Sequence, residues 1–182
     1  MTPRGKLSPE AQAKIDNMTQ PQLLNMSLKP SDVVYTPDDV ARDVVNFFKP
    51  SGRILEPSAG DGAFLRHLPP HTEWCEIEKG RDFFAWHDPV DWIVGNPPFS
   101  IFTAWLEHSF SLADNIVYVQ VLSSMFISIE RLKQIYDYGG IKTIYVLGSG
   151  KTLGFDFGFN MAAFHFQRNY KGGTFTVFRE NT

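Results

Sequence analysis

Short apolar runs alternate with segments of helical periodicity along most of this sequence. The runs "DWIV", "NIVYVQV" and "IKTIYVLG" are apolar at nearly every position, which is typical of strands that are buried on both faces. Between them, apolar residues recur three or four positions apart, as in an amphipathic helix. Because parallel strands need long crossover connections, usually helices, this alternation predicts an α/β fold with a mostly parallel sheet.

The segments that read as strands are "RIL", "WCEI", "DWIV", "NIVYVQV", "IKTIYVLG", "FGFNMAAFHFQR" and "GTFTVFRE". Only "NYKGG" joins the last two, and such a short link is typical of an antiparallel hairpin. We therefore expect a Rossmann-like, doubly wound, mostly parallel seven-stranded sheet with a closing antiparallel hairpin.

Helices are predicted between these strands. In "TPDDVARDVVNFF", Thr36 suits the N-cap, Pro37 suits the first helical position, and Asp38 and Asp39 suit the positive end of the helix dipole. Further helices are predicted at the end of "EPSAGDGAFLRHL", in "SIFTAWLEHSFSLA" and in "SIERLKQIYDYGG". The last of these closes on glycine, a residue that commonly terminates helices.

The chain has 182 residues, which suits one domain of ordinary size. Residues 1–30 are polar and contain no aromatic side chain, so we expect a partly disordered N-terminal arm, followed by a single domain over residues 31–182. The net charge of −3 argues against a broad basic face for nucleic acid. A contact with nucleic acid would then be small and local, a partner would supply the positive charge, or the substrate is something else.

Cys75 is the single cysteine, which excludes an intrachain disulfide and argues against a cysteine-based zinc site. The five histidines are scattered, so we expect no metal. The sequence has no apolar stretch near the length of a membrane span and no secretory leader pattern. We expect a soluble intracellular protein, cytoplasmic or in the nucleoid or nucleus, with no membrane partner.

Ligands of open α/β sheets bind beyond the carboxyl ends of the strands, which makes the loops after the first three strands the candidate site. In "LEPSAGDGAF", the small residues Ser58, Ala59 and Gly60 let a ligand approach the backbone closely. Glu56 and Asp61 make the loop acidic, which suits a cationic or amine-bearing ligand better than a phosphate. The alternative is an ordinary strand-to-helix turn that needs glycine.

The next two loops contribute further acids. Glu76 follows "WC" at a strand end, where nucleoside-binding folds place the acceptor for ribose hydroxyls, whereas Glu78 reads as a surface residue. In "GRDFF", Asp82 could accept a hydrogen bond from an adenine amine while Phe83 packs on the base. The alternative for Glu76 is a solvated strand end. The alternative for Phe83 or Phe84 is a position in the core.

The run "GNPPFS" ends the strand "DWIV" in an unusual way. Pro97 and Pro98 fix the backbone, so the Asn96 amide and the Pro97 carbonyl group are held rigidly at the mouth of the strand. Both offer oxygens that can accept hydrogen bonds from one NH₂ group, and Phe99 offers a flat face. Two acceptors and an aromatic ring together predict a binding site for a planar group that carries an exocyclic amine. A proline-terminated strand with Phe99 in the core is the alternative.

Five motifs occur in a specific order: "YTP" (35–37), "LEPSAGDGAF" (55–64), "EIE" (76–78), "GRDFF" (80–84) and "GNPPF" (95–99). The set resembles the S-adenosylmethionine-dependent amino-methyltransferases. Its order resembles that of the gamma class of adenine-N6 DNA methyltransferases. The resemblance spans roughly residues 33–168, which is most of the chain.

The resemblance implies that S-adenosyl-L-methionine is the cofactor. The Tyr-Thr-Pro motif would contact its methionine part, the loop after the first strand would form its cradle, and the next two loops would hold its ribose and adenine. The implied cofactor-binding residues are Tyr35, Thr36, Pro37, Glu56, Ser58, Ala59, Gly60, Asp61, Glu76, Ile77, Asp82 and Phe83.

The resemblance also implies a site for the target base. Asn96 and Pro97 would accept hydrogen bonds from the target amine, Pro98 completes the catalytic motif, and Phe99 would stack on the target ring. A second aromatic residue would complete the sandwich, and among the three phenylalanines of "GFDFGF" we favour Phe155. The implied reaction is methyl transfer to the N6 amine of adenine in nucleic acid, with DNA favoured over RNA.

Gamma-class DNA enzymes usually carry a target-recognition domain after the catalytic one, but only 14 residues follow "AAFHFQR" here. A partner subunit that supplies target recognition, or an RNA adenine target, would resolve this difference. The sequence is also compatible with a protein glutamine methyltransferase and with a non-catalytic methyltransferase-like subunit. The basic residues that could form a small phosphate-contacting rim are Arg66, Lys79, Arg81, Lys133, Lys151, Arg168 and Lys171.

Overall fold

The computed structural model describes residues 34–180, and the predicted arm over residues 1–30 lies outside them. The described region contains one mixed seven-stranded sheet with the order β2-β1-β3-β4-β6-β5-β7, which confirms the predicted fold class. The strands are β1 (Ile54–Glu56), β2 (Glu73–Trp74), β3 (Val90–Gly95), β4 (Ala113–Val121), β5 (Gly139–Ser149), β6 (Asn160–Arg168) and β7 (Phe175–Phe178).

The four strands β2, β1, β3 and β4 are parallel neighbours, and β6 then inserts antiparallel between β4 and β5. The predicted antiparallel element is therefore present, but the predicted pairing of β6 with β7 is wrong. Both edges of β6 are already occupied, so β7 adds to the free edge of β5 instead. β6 ends beside Gly139, where β5 begins. The chain therefore enters β7 at the same end of the sheet at which β5 starts, and β7 runs parallel to β5.

Within residues 34–180, the α-helices are α1 (Asp38–Phe48), α2 (Phe102–Leu112), α3 (Ile129–Tyr138) and the single turn α4 (Gly150–Leu153). In the same part of the chain, 3-10 turns cover Ile77–Lys79, Phe83–Ala85 and Ser123–Phe126. The predicted start of α1 is one residue early, since Pro37 rather than Thr36 is the N-cap. As predicted, Asp38 and Asp39 fill the first turn of α1, and Gly139 caps α3.

The helix predicted after the glycine loop forms only successive turns over residues 63–67. Main-chain bonds of helical spacing do occur, from Arg66 N to Gly62 O at 3.1 Å and from Leu68 N to Phe64 O at 2.9 Å. Pro69 and Pro70 follow directly and prevent the helix from continuing. The segment between the glycine loop and these prolines is therefore too short for a helix to extend beyond its first turns, which are the costly ones to form.

Two apolar clusters cover the two faces of the sheet, as the sequence predicts for a doubly wound fold. One lies under α2 and α3 and contains Trp105, Leu106 and Ile135. The other lies under α1 and contains Val40 and Val44. No helix within residues 34–180 is long and apolar enough to cross a membrane.

Candidate functional site

The carboxyl ends of β1 and β3 lie side by side, because these parallel strands pair directly. Glu56 ends β1, and Gly95 ends β3 immediately before Asn96. A Cβ atom on Gly95 would lie 2.8 Å from Glu56 Oε1 and 3.3 Å from Pro57 Cδ. Gly95 therefore leaves the space that the Glu56 carboxyl group occupies, and a larger residue there would displace this group.

The Glu56 carboxyl group is buried, whereas the sequence placed Glu56 in an acidic loop that the resemblance makes the cofactor cradle. Its Oε1 atom accepts a hydrogen bond from Ser58 N at 3.3 Å, whereas Oε2 has no partner among the described residues. Burial, with a smaller contribution from the nearby acids Glu76 and Asp61, raises the pKa of Glu56 to about 8. At neutral pH the carboxyl group is therefore mostly protonated, and its hydroxyl can donate a hydrogen bond.

We expect Glu56 to make the stability of the ligand-free protein fall with rising pH. The pKa of this group rises from 4.5 to about 8 on folding, so the folded chain keeps a proton that the unfolded chain loses. Its stabilising contribution is complete below pH 4.5 and is lost as the pH rises through about 8. Between pH 5 and pH 8, the free energy of unfolding should fall more in the wild type than in Glu56→Gln, by on the order of 3 kcal/mol. Urea unfolding at several pH values measures both profiles, and parallel profiles would contradict the burial argument.

The glycine loop is tied to the loop after β2 by hydrogen bonds. Gly60 N donates to Glu76 Oε2 at 2.6 Å, and Glu76 Oε1 accepts from Glu78 N at 3.2 Å. Lys79 Nζ donates to Gly60 O at 3.2 Å. Asp61 is exposed beside the loop, and Ala59 N bonds to Cys75 O at 2.9 Å. The acid predicted to hold a ribose therefore also holds the glycine loop in place.

The Tyr-Thr-Pro motif packs on this loop. Gly60 has a φ of +51°, and a Cβ atom on it would lie 3.3 Å from the ring of Tyr35. Tyr35 is exposed, and Thr36 is buried. Pro37 lies on the other side, where a Cβ on Gly154 would approach it to 3.4 Å. The motif therefore lies between the glycine loop and the turn after α4.

Neighbouring residues hold the two acceptor groups of the Asn-Pro-Pro-Phe motif in place. Asn96 Nδ2 donates to Val34 O at 3.2 Å, and Asn96 O accepts from Ser58 Oγ at 3.1 Å. Within residues 34–180, the buried Asn96 Oδ1 has no hydrogen-bond partner. Pro97 O accepts from Gln120 Nε2 at 3.2 Å, and Gln120 is buried on β4. A buried acceptor without a partner is costly, so Asn96 Oδ1 marks the place where a ligand donor would bind.

Gln120 was missed by sequence reasoning. The signal that could have found it is a single amide in the otherwise apolar run "IVYVQV". A buried amide needs hydrogen-bond partners, and the neighbouring strand β3 ends beside it in the motif.

The positions of the aromatic residues bear on the choice of the second stacking ring. Phe99 is half-buried, and the ring nearest to it in the "GFDFGF" segment is that of Phe157, at a centroid distance of 6.2 Å and an interplanar angle of 73°. Phe155, the favoured partner, is buried behind Phe157 and stacks on it at 5.3 Å. Phe155 would therefore support the second ring, and Phe157 is better placed to be that ring. Phe159 is largely exposed.

Phe83 lies in the core, which was the alternative interpretation. Its ring lies 4.5 Å from that of Trp105 and 4.8 Å from that of His108, so it cannot stack on a ligand. Asp82 Oδ1 accepts from Phe84 N at 3.0 Å and caps the 3-10 turn. Ile77 is exposed beside Glu76 and remains available to a flat ligand.

Most of the predicted basic rim is engaged or lies elsewhere. Arg66 pairs with Asp38 and Asp61, and Lys133 pairs with Asp137. Arg168 ends β6 at the opposite edge of the sheet, where it bonds to Asp114, and Lys171 follows shortly after. Beside the site, Lys79 and Arg81 lie over the ring of Trp74, and Lys151 is exposed on α4.

No protein-family model and no curated protein matches the sequence. Solved structures do share its fold. A putative class I S-adenosylmethionine-dependent methyltransferase from Listeria monocytogenes has a TM-score of 0.63 at 13% identity, over 87% of this chain and 69% of that one. The type I restriction-modification system methyltransferase subunit from Streptococcus thermophilus has a TM-score of 0.61 at 14% identity, over 88% of this chain and 51% of that one.

A modification subunit of a putative type I restriction enzyme from Vibrio vulnificus YJ016 has a TM-score of 0.56 at 16% identity, over 93% of this chain and 51% of that one. This chain spans about half the length of both type I subunits. At such low identity the likeness is one of fold. The chain has the fold of the class I S-adenosylmethionine-dependent methyltransferases.

Proposed function

We propose that this chain binds S-adenosyl-L-methionine and transfers its methyl group to the N6 amine of adenine in nucleic acid, with DNA favoured. The observation that carries the proposal is the buried Asn96 Oδ1, which has no partner among the described residues and lies in the same rigid motif as the Pro97 carbonyl. Two fixed acceptors are the arrangement that one exocyclic NH₂ group requires.

The residues beside these acceptors fit the cofactor. A Cβ on Gly60 would fill the space under Tyr35, and the buried Glu56 Oε2 has no partner within the described chain. We assign the methionine part to Tyr35, Thr36 and Pro37, with the loop over residues 56–61 as the cradle. The ribose is assigned to Glu76, and the adenine to Ile77, Asp82 and the main chain of Phe83. When bound, the cofactor supplies a methyl group on a positively charged sulfur.

The chain's own residues activate the target amine by position. The lone pair of an aromatic amine is conjugated into its ring, which makes the amine a poor nucleophile. Acceptors at Asn96 Oδ1 and Pro97 O direct its two hydrogens and favour a tetrahedral nitrogen, whose lone pair is localised. Phe99 and Phe157 hold the base. The amine becomes cationic on transfer and then loses its proton readily, so positioning and electrostatics provide the catalysis.

Recognition of the target would come partly from another subunit. The chain carries a net charge of −3, and few basic residues lie at the site edge. A duplex base must also be flipped out of its stack, at a cost of a few kcal/mol that protein contacts must offset. One structure of similar fold concerns the complex assembly of the type I restriction-modification system. We therefore favour DNA as the substrate and a partner subunit as the source of target recognition, because both agree with this likeness and with the gamma-like motif order.

RNA is the second candidate. A putative RNA methyltransferase from Pyrococcus horikoshii has a TM-score of 0.53 at 13% identity, and the alignment covers 86% of this chain and 100% of that one. An unpaired RNA base would also remove the need to open a duplex.

The test is methyl transfer from labelled S-adenosylmethionine to duplex DNA, single-stranded DNA, RNA and a cell protein extract. Labelled nucleic acid is digested to nucleosides. We expect the label in N6-methyladenosine or its deoxy form, and we expect it to vanish with Asn96→Ala. The substrate that is labelled identifies the polymer. Label in protein alone would replace the proposal with a glutamine methyltransferase, and cofactor binding without any transfer would indicate a non-catalytic subunit.

Gln120 should act as a positioning residue for the Pro97 carbonyl. Gln120→Met keeps the side-chain volume but removes the hydrogen bond to Pro97 O, so we expect kcat to fall by about tenfold, in line with one lost neutral hydrogen bond. The Kd for S-adenosylmethionine should not change. Gln134→Met on α3 is the matched control and should keep full activity. A fall in cofactor affinity as large as the fall in kcat would show that Gln120 only supports the fold.

A further inference from the structure

The edge strand β7 exposes an unusual amount of apolar surface. All four of its residues are exposed, with fractional exposures of 64% for Phe175, 37% for Val177 and 71% for Phe178. Within residues 34–180, no strand pairs with its outer edge. Edge strands are usually protected by charged residues or proline, and "FTVF" contains neither.

The outer edge of β7 presents main-chain groups ready to pair. Arg179 N donates to Val146 O at 2.9 Å on β5. Because successive residues of a strand point their main-chain groups to opposite sides, Phe175, Val177 and Arg179 face β5. The N–H and C=O groups of Thr174, Thr176 and Phe178 therefore point away from the sheet.

One face of this edge continues an apolar surface of α1. Val177 pairs with Tyr145 on β5, and the ring of Tyr145 stacks on that of Phe47 at 4.2 Å. Phe175 lies on the same face as Val177, two residues earlier, and Phe47 is itself 39% exposed. Phe47, Phe175 and Val177 form one strip, which we call the β7 strip.

Ion pairs hold the strand end in place. Arg179 Nη2 pairs with Asp39 Oδ2 at 2.9 Å and with Asp43, both on α1. The Arg179 side chain is only 15% exposed, so these pairs are partly shielded from solvent. The edge is therefore ordered before any partner arrives, which lowers the entropic cost of pairing.

We propose that β7 pairs antiparallel with β7 of a second copy of this chain, about a two-fold axis through Thr176. An axis perpendicular to the sheet places Thr176 opposite the partner's Thr176 and Phe175 opposite the partner's Val177. This register joins only outward-pointing main-chain groups, and the two β7 strips become continuous on one face. It also places the exposed Glu180 opposite the partner's Gly172, next to the exposed Lys171, so residues of opposite charge lie at both ends of the pairing.

A charge exchange at Thr176 tests the interface. This side chain is exposed and meets its own copy at the axis, so Thr176→Asp and Thr176→Lys should each repel across the strands. By sedimentation velocity, we expect the wild type to have twice the monomer mass and each variant to be monomeric. An equimolar mixture of the two variants should restore the dimer. Ser111→Asp and Ser111→Lys, at an exposed serine of α2, are the matched controls and should remain dimeric.

Hydrogen exchange of the wild-type chain provides an independent readout. The Thr176 and Phe178 amides point outward, so their exchange should slow as the protein concentration is raised through the dimerisation range. Three results would overturn the proposal: a monomeric wild type at about 100 μM, dimers that persist in both Thr176 variants, or concentration-independent exchange at these amides. The assay needs no methyl transfer, so it succeeds or fails independently of the proposed function.

Discussion

Asn96→Ala should lower kcat for methyl transfer by about 100- to 1,000-fold, which is the usual effect of removing one preorganised catalytic hydrogen-bonding group. The variant removes Oδ1, the buried acceptor without a partner in the described chain, together with the Nδ2 donor that bonds to Val34 O. The Kd for S-adenosylmethionine should stay within about threefold, because the expected cradle lies in the loop after β1. Isothermal titration measures the binding, and single-turnover transfer measures the chemistry.

Asn115→Ala is the matched control for this variant. Asn115 is also a hydrogen-bonded amide, whose Oδ1 lies 3.1 Å from His165 Nε2. It lies near the start of β4, at the opposite edge of the sheet. We expect it to change stability and to leave kcat unaltered. Equal losses of binding and rate in Asn96→Ala would contradict the assignment, because they would indicate that Asn96 shapes the loop instead of the reaction.

Gly60→Val should weaken binding of S-adenosylmethionine by at least about 100-fold. The φ of Gly60 is +51°, which costs a non-glycine residue about 1 kcal/mol or more and is worse for a β-branched one. The new side chain would also occupy the space beneath Tyr35, where a Cβ alone approaches to 3.3 Å. Strain and occupied space therefore act together on the proposed cradle.

Gly148→Val separates these two effects. Gly148 lies on β5, away from the proposed cofactor loops, and has a φ of +124°, so valine is strained there as well, but nothing lies within 4 Å of its Cβ position. We expect both variants to lose a similar amount of thermal stability, and only Gly60→Val to lose cofactor binding in titration calorimetry. Unchanged affinity in Gly60→Val would place the cofactor elsewhere on the sheet edge.

The parts of the site that depend on strand ends could be predicted from the sequence. The carboxyl ends of parallel neighbours meet at one edge, so Glu56, Glu76 and Asn96 were expected near one another before any contact was known. The two prolines fixed the path after Asn96. The central strands were predictable because buried strands are apolar along most of their length.

The remaining errors concern partners that are distant in sequence. The hairpin pattern of β6 and β7 is locally sound, but it does not reveal that β4 and β5 already occupy both edges of β6. Composition could not distinguish Phe155 from Phe157, because only packing determines which ring faces Phe99. Likewise, the Gln120 amide acquires its role from Pro97, which lies on another strand.

The insertion of β6 has a consequence for biosynthesis. Strands β4 and β5 pair with β6 and not with each other, so neither has its inner neighbour until residues 160–168 have left the ribosome. A nascent chain that ends before Asn160 leaves one edge of β4 and both edges of β5 unpaired, and such edges are prone to bind other chains. Completion of the central sheet is therefore a late event in the synthesis of the chain.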